Sequence, residues 1–282
     1  LGQVEDCTLV CQYHGWRYDS DGRVVHFPHD LFDRPKLNVR VRSYPLRVRY
    51  GLVWIFPGDP ARVIDRNIPD IPELEGPKPW ACVPIEFEWR AHHSMIIDNV
   101  SDFTHEYLHR KYKPFVDAKL TRCETVDDKV FVSYNTKIGA GRFTDVFVDR
   151  DRASSNAIQL CYDYPYQWSN TDGRIKHWCF LLPIDQQTTR VFFLFYYDAI
   201  KIPLINRAMP QRLLQHFLKI ANPFIVKPLL RQDGFAVEAE QDGWTRHFDQ
   251  PMIEINPAVH MFQALTIRKW EEHLANQARM KN

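Results

Sequence analysis

No apolar run in the sequence approaches the roughly 18 residues that a membrane-spanning helix needs. The longest, VFFLFYY at Val191–Tyr197, is short and aromatic and reads as a buried strand. There is also no block of about five or six like charges. With 36 basic and 35 acidic side chains and a formal net charge of +1, nothing argues for a nucleic-acid partner. Internal repeats and low-complexity segments are missing, and so is a flavin or nicotinamide fingerprint. Six cysteines, at 7, 11, 82, 123, 161 and 179, are too scattered for a disulfide framework in a chain of 282 residues. A reducing cytoplasm is the simpler reading. The opening LGQVEDCTLVCQYHGW has no secretory-leader pattern and no initiator Met, so the chain reads as a fragment or as one lacking its true N-terminus.

What is present is ordinary globular material, 45% hydrophobic and 25% charged, enough for one large domain or two smaller ones. Residues 1–58 are β-rich, with short apolar runs such as LRVRYGLVWIF broken by turn signals at Asp19–Gly22 and Pro57-Gly58. Residues 59–80 carry five prolines and little periodicity, the composition of a linker. Beyond it, ACVPIEFEWRA reads as a strand, and a helix is predicted from about His92 to Lys111. Residues 119–200 alternate β-branched and aromatic residues with turns, as an antiparallel sheet does. Helical spacing returns over 210–221, 224–246 and 263–280. The fold class is α+β, a small β domain followed by one whose long helices cover a sheet.

Asp98, Asp102, His105 and His109 follow spacings of four, three and four. On a helix those spacings place all four on one face. Met95, Ile96, Ile97, Val100, Phe103 and Leu108 interleave with them and would bury the helix. Two carboxylates and two imidazoles along a buried stripe are costly without compensation, and a bound cation is one compensation. Iron(II) in oxygenases is held by two His and one carboxylate, with positions left open for oxygen and substrate. Spacing alone leaves iron, zinc and a metal-free His–Asp pair open. The zinc-protease pattern H-E-x-x-H is not the reading taken for His105–His109. Cys11-Gln12-Tyr13-His14 is a C-x-x-H pair, able to bind iron or zinc from a tight loop but weak when alone.

Taken in order, four segments resemble one family. Cys11-x-x-His14-Gly15-Trp16-x-Tyr18 with Asp21-Gly22 resembles the second half of a Rieske iron–sulfur motif. Tyr50-Gly51-Leu52-Val53-Trp54-Ile55-Phe56-Pro57-Gly58 looks like the end of such a domain. Asn99-x-x-Asp102-x-x-His105-x-x-x-His109 resembles the iron motif of the catalytic domain, and Gln232-Asp233 through Gln241 the helix carrying a third ligand. The chain is thereby similar to Rieske non-haem iron oxygenase alpha subunits, in the phthalate, vanillate-demethylase and carbazole-dioxygenase branch.

The resemblance implies a Rieske domain over 1–58, a linker over 59–80, and a helix-grip catalytic domain over 81–282. It implies His105, His109 and Asp233 as Fe2+ ligands, Asp233 in preference to Glu238 and Asp242. Asp102 would orient a ligand His and bridge it to a cluster ligand of a neighbouring subunit. Asn99 would hydrogen-bond near the iron, and Asp98 would cap or pair locally. Cys11 and His14 would hold the [2Fe–2S] cluster; the C-x-H half of that motif is expected upstream of this sequence. The other histidines, His177 among them, default to packing or surface roles. The implied reaction hydroxylates, dihydroxylates or oxidatively demethylates a small aromatic or alicyclic substrate with O2. Electrons would come from NAD(P)H through a separate ferredoxin and/or flavin reductase, in a homotrimer. The rival from another class is a ligand-binding or electron-transfer protein on the same scaffold.

Overall fold

The computed structural model describes residues 2–28, 39–65, 67–137, 156–200, 208–250 and 253–281. The chain divides into two units, Leu1–Ile71 and Pro72–Asn282. The first holds an antiparallel four-stranded sheet of β1 (Gly2–Glu5), β2 (Thr8–Cys11), β3 (Arg17–Tyr18) and β4 (Val24–His26), in that order. Asp19 makes the β3–β4 turn by accepting from the backbone N–H of Asp21 and Arg23 at 2.9 and 2.8 Å. A separate hairpin joins β5 (Leu46–Arg49) to β6 (Leu52–Ile55). Its two loop residues, Tyr50 and Gly51, have φ of 58° and 73°, the left-handed pair that a two-residue hairpin favours. The stretch read as a linker holds a 3₁₀ turn at Pro60–Asp65 and a short helix, α1 (Pro72–Glu75).

The second unit is built on seven antiparallel strands. They are β7 (Ala81–Trp89), β8 (Val116–Val126), β9 (Lys129–Lys137), β10 (Asn156–Asp163), β11 (Tyr166–Thr171), β12 (Ile175–Pro183) and β13 (Thr189–Tyr197). Strands β8 to β13 pair in succession, and β7 closes the far edge on β13. Residues 138–155 of the predicted sheet lie outside the described residues. Helices α2 (His93–Ser101), α3 (Gln211–Ala221), α4 (Val226–His247) and α5 (Pro257–Lys281) complete the unit. Leu214 and Leu218 of α3 and Leu230 and Val237 of α4 pack on Val83, Ile85 and Phe193 of β7 and β13. Phe262 and Leu265 of α5 pack on Val130, Val132 and Leu160 of β9 and β10. These i, i+3/i+4 and i+7 spacings make one apolar stripe per helix, and burying them on the sheet forms the core. Among the described residues no helix is long and apolar enough to cross a membrane.

Two boundaries differ from expectation, each for a local reason. The helix predicted to reach Lys111 ends at Ser101, and Asp102 caps it in extended backbone at φ −97°, ψ 111°. The Asp102 carboxylate accepts from the backbone N–H and the hydroxyl of Thr104, at 2.7 and 3.0 Å. That turn competes with the next helical hydrogen bond. His105 to Lys113 continue as a series of turns rather than a helix, so the four stripe residues do not share a helical face. At the other end α5 begins at Pro257, not 263. Asn256 Oδ1 accepts from Ala258 N at 3.0 Å, an N-cap followed by proline at the first helical position.

Candidate metal centre

Helix α4 lies close against β7 because residue 234 is glycine. A Cβ there would fall 2.4 Å from Trp89 Nε1. The neighbouring Asp233 is thereby held inside the unit, 6% exposed. Two further α4 side chains fasten the start of α2. Glu238 Oε1 accepts from Arg90 N at 3.0 Å and Gln241 Oε1 from His92 N at 2.8 Å. Glu238 is thus engaged in holding two elements together, and Asp242 pairs along its own helix with Arg246 at 3.9 Å.

The turns after α2 present His105 and His109 to Asp233. Asp233 Oδ1 lies 3.2 Å from His109 Nε2 and 3.6 Å from His105 Nε2. One ligand atom from each of the three residues can be chosen so that all lie within 4.8 Å of one another. Phe115 packs edge-on against both imidazoles, at 5.5 and 5.8 Å between ring centres. Burial lowers the His105 pKa, against the pull of the Asp233 charge. At His109 burial acts the same way but is outweighed by hydrogen bonding to Asp233, and the pKa is raised. On its other edge His109 Nδ1 meets Gln232 Oε1 at 3.0 Å. Nδ1–H therefore donates to Gln232, and Nε2, turned to Asp233, is the nitrogen that would meet a metal once it gives up its proton.

Two imidazole nitrogens and one carboxylate converging from one side form a donor set that suits Fe(II). Asn99 lines the same cavity, and its Oδ1 is buried without a hydrogen-bond partner among the described residues. An orphaned acceptor beside that donor set fits an ion with bound ligands to donate to it. The segment His105-Glu106-Tyr107-Leu108-His109 does read H-E-x-x-H, so spacing does not set the zinc-protease pattern aside; geometry does. The two histidines are on turns, not a helix, and Glu106 is tied to the backbone N–H of Asp117 at 2.6 Å.

The other sequence-chosen residues fall nearby or apart. Asp98 does not pair locally: its carboxylate accepts from Gln263 Nε2 of α5 at 2.8 Å, and burial pushes its pKa up to about 8. Asp102 accepts from Thr104 and, at 2.9 Å, from Asn256 Nδ2. Among the described residues it makes no hydrogen bond to His105. Cys11 ends β2, half-buried, and His14 is exposed on the following turn. Gly15 N donates to Cys11 O at 2.8 Å and Cys11 N to Trp16 O at 2.9 Å, which closes the loop. Gly15, at φ +69°, approaches Pro28 so nearly that a Cβ would lie 2.9 Å from its Cγ. The roles of Gln232, Phe115 and Asn256 carry no signal in the sequence, because each depends on a contact made by the fold.

A cavity of about 250 Å³ opens beside the triad. Its walls are mostly apolar, with Phe103, Phe193, Phe195, Ile225, Leu229 and Leu230 among them. Ser169 and His177, on the sheet side, are polar exceptions.

Comparison with known proteins agrees with this architecture. Residues 89–277 match the vanillate O-demethylase oxygenase C-terminal domain, and residues 1–45 match the Rieske [2Fe-2S] domain. The chain is 42% identical over 280 residues to the 4beta-methylsterol monooxygenase of Methylococcus capsulatus, covering 99% of this chain and 76% of that protein. It is 36% identical over 110 residues to a vanillate O-demethylase oxygenase subunit of a Pseudomonas species, which is 39% of this chain and 32% of the relative. The crystal structure of dicamba monooxygenase bound to dicamba shares the fold with TM-score 0.74 at 19% identity, over 98% of this chain and 83% of that one. The chain belongs to the Rieske non-haem iron oxygenases. It is an oxygenase of that type, with a Rieske [2Fe–2S] cluster and a mononuclear non-haem iron as its cofactors.

Proposed function

We propose that His105, His109 and Asp233 hold the mononuclear Fe(II), and that the enzyme oxidises a methyl carbon on an alicyclic, sterol-like substrate. The observation that carries the first part is the convergence of a half-buried His105 with the buried His109 and Asp233 on a mostly apolar cavity. The second part is supported by the relative that is 42% identical along nearly the whole chain and is named for a 4β-methylsterol.

Iron held there supplies the reductive activation of dioxygen. The chain's own residues prepare the site for it. Asp233 contributes the one negative charge, leaving a dication only partly neutralised. Gln232 holds His109 in the tautomer whose Nε2 points inward. Phe115 packs edge-on against both rings. The phenylalanine and leucine walls exclude water and take an apolar ring system.

The same reading assigns Cys11 and His14 to the [2Fe–2S] cluster. Asp102 is the polar link by which electrons arrive from a cluster ligand of the adjoining subunit of a homotrimer. Its carboxylate is already fixed by Thr104 and Asn256, which suits a group that must hold one orientation. The donor is a ferredoxin and/or flavin reductase, and the compartment is the cytoplasm. The functional domains are 1–58 and 81–282, with 59–80 between them.

A single-turnover screen under ¹⁸O2 tests the reading. The reduced full-length enzyme is offered 4-methylsterols, methoxybenzoates and methylcyclohexanes. A product of the sterol carrying one ¹⁸O on the methyl carbon is expected. Labelled product from the aromatic ethers alone would overturn the substrate assignment.

A further inference from the structure

The sheet wall of the cavity carries a hydrogen-bonded polar pair. Ser169 of β11 and His177 of β12 are direct cross-strand partners and both line the cavity. Around them the same wall is Ile158, Ile175, Phe193, Phe195 and Tyr197, with Thr171 at the end of β11. Phe195 lies 4.8 Å from the His177 ring centre. A polar pair in an apolar wall is the kind of feature that fixes a ligand's orientation.

Hydrogen-bond direction gives this pair a definite polarity. His177 Nε2 lies 3.1 Å from Oε1 of Gln167, a residue with no exposed surface. In this amide orientation, which leaves Gln167 Nε2 without a hydrogen-bond partner among the described residues, the oxygen facing the ring can only accept, so Nε2 of His177 carries the proton. Nδ1 is then a lone pair, and Ser169 Oγ stands 2.8 Å from it. The serine hydroxyl must donate there. Its one proton is used, and the Oγ of Ser169, a residue 3% exposed, can only accept from the cavity. The ring stays neutral, since burial pushes the His177 pKa down to about 4.

We infer that Ser169 Oγ is a specificity-determining acceptor that binds a hydroxyl group of the substrate and rejects a ketone at the same place. A ketone would set two acceptors against each other in a dry site, which leaves both unpaired. This deepens the reading of the same pocket. A sterol is a 3-hydroxysteroid, and its C4 methyl groups sit on the carbon next to that hydroxyl.

The test uses full-length enzyme loaded with cluster and iron, without oxygen, and reads equilibrium binding by tryptophan fluorescence. In each of three probe pairs the first member can donate a hydrogen bond and the second cannot: a 4-methylsterol and its 3-ketone, 2-methylcyclohexanol and 2-methylcyclohexanone, phenol and anisole. The hydroxyl member of at least one pair is expected to bind about tenfold tighter or better, the loss of one buried hydrogen bond. Ser169→Ala brings the two members level. His177→Phe frees the serine proton and moves the preference toward the ketone, which mere loss of packing would not do. Equal binding of both members, a ketone preference in the wild type, an alcohol preference intact in Ser169→Ala, or binding of no pair would each overturn the inference. A preference confined to the small rings, with neither sterol bound, would keep the acceptor and refute the sterol reading alone.

Discussion

His109 Nδ1 stands 3.0 Å from the side-chain oxygen of Gln232, the residue that immediately precedes Asp233. Helix α4 therefore supplies two adjacent side chains to one imidazole: a carboxylate at Nε2 and an amide oxygen at Nδ1. Partners of this kind orient metal-binding histidines, and their removal commonly costs about 10–100-fold in metal affinity. Gln232→Leu is expected to weaken iron binding by that factor while leaving the Rieske cluster in place. Chelator competition followed by iron analysis checks it. Unchanged affinity would mean that the contact does not orient the ring.

Gly234 lets α4 approach Trp89, and a methyl group there has no room. Gly234→Ala should destabilise the catalytic unit by about 1–3 kcal/mol, the usual range for overpacking. It should also loosen the iron, because Asp233 moves with the helix. A thermal melt read beside iron content checks both. An alanine variant with wild-type melting and full iron would show that the contact yields without effect.

Asp98 makes stability depend on pH. Burial pushes its pKa from 3.8 up to about 8; the hydrogen bond from Gln263 opposes this, and the charges of Glu240, Glu254 and Asp102 add to it. Between those two values the folded chain keeps a proton that the unfolded chain has lost. The contribution is complete below 3.8 and is lost as pH rises through about 8. Asp98→Asn cannot ionise, so it should melt progressively higher than the wild type as pH rises across that window. Parallel melting curves for the two proteins from pH 5 to 9 would contradict this.

Asn256 joins three elements: it caps α5 at Ala258, and its amide group donates to Asp102 at 2.9 Å and to Tyr134 at 3.1 Å. Asn256→Ala should cost about 1–2 kcal/mol from the lost cap. It should also slow electron delivery by releasing Asp102, with both metals still bound. Rapid-mixing measurement of cluster oxidation separates the two effects. Full transfer rate at reduced stability would assign Asn256 to the cap alone.

Sheet strands and long helices were legible where the pattern is set by burial. The run at Val191–Tyr197 became β13, and the 3.6-residue spacings of 210–221 and 224–246 became α3 and α4. The cluster of His105, His109 and Asp233 was legible only through the order of several motifs, since the spacing of a helical stripe runs past the point where Asp102 and Thr104 end the helix. Contacts set by register were not legible. Ser169 and His177 lie eight residues apart and meet because β11 and β12 fold back at one particular register. Asp98 found Gln263, 165 residues away, instead of a local partner.

Iron content in paired variants decides whether His105, His109 and Asp233 hold a mononuclear iron. Full-length wild type, His105→Ala and Asp233→Ala are reconstituted without oxygen, and each is analysed for total iron and for the Rieske spectrum. The account predicts three irons per chain in the wild type. It predicts two in each variant, with the Rieske signal unchanged. A wild type that takes up only the two cluster irons, or a variant that keeps the third, would contradict it.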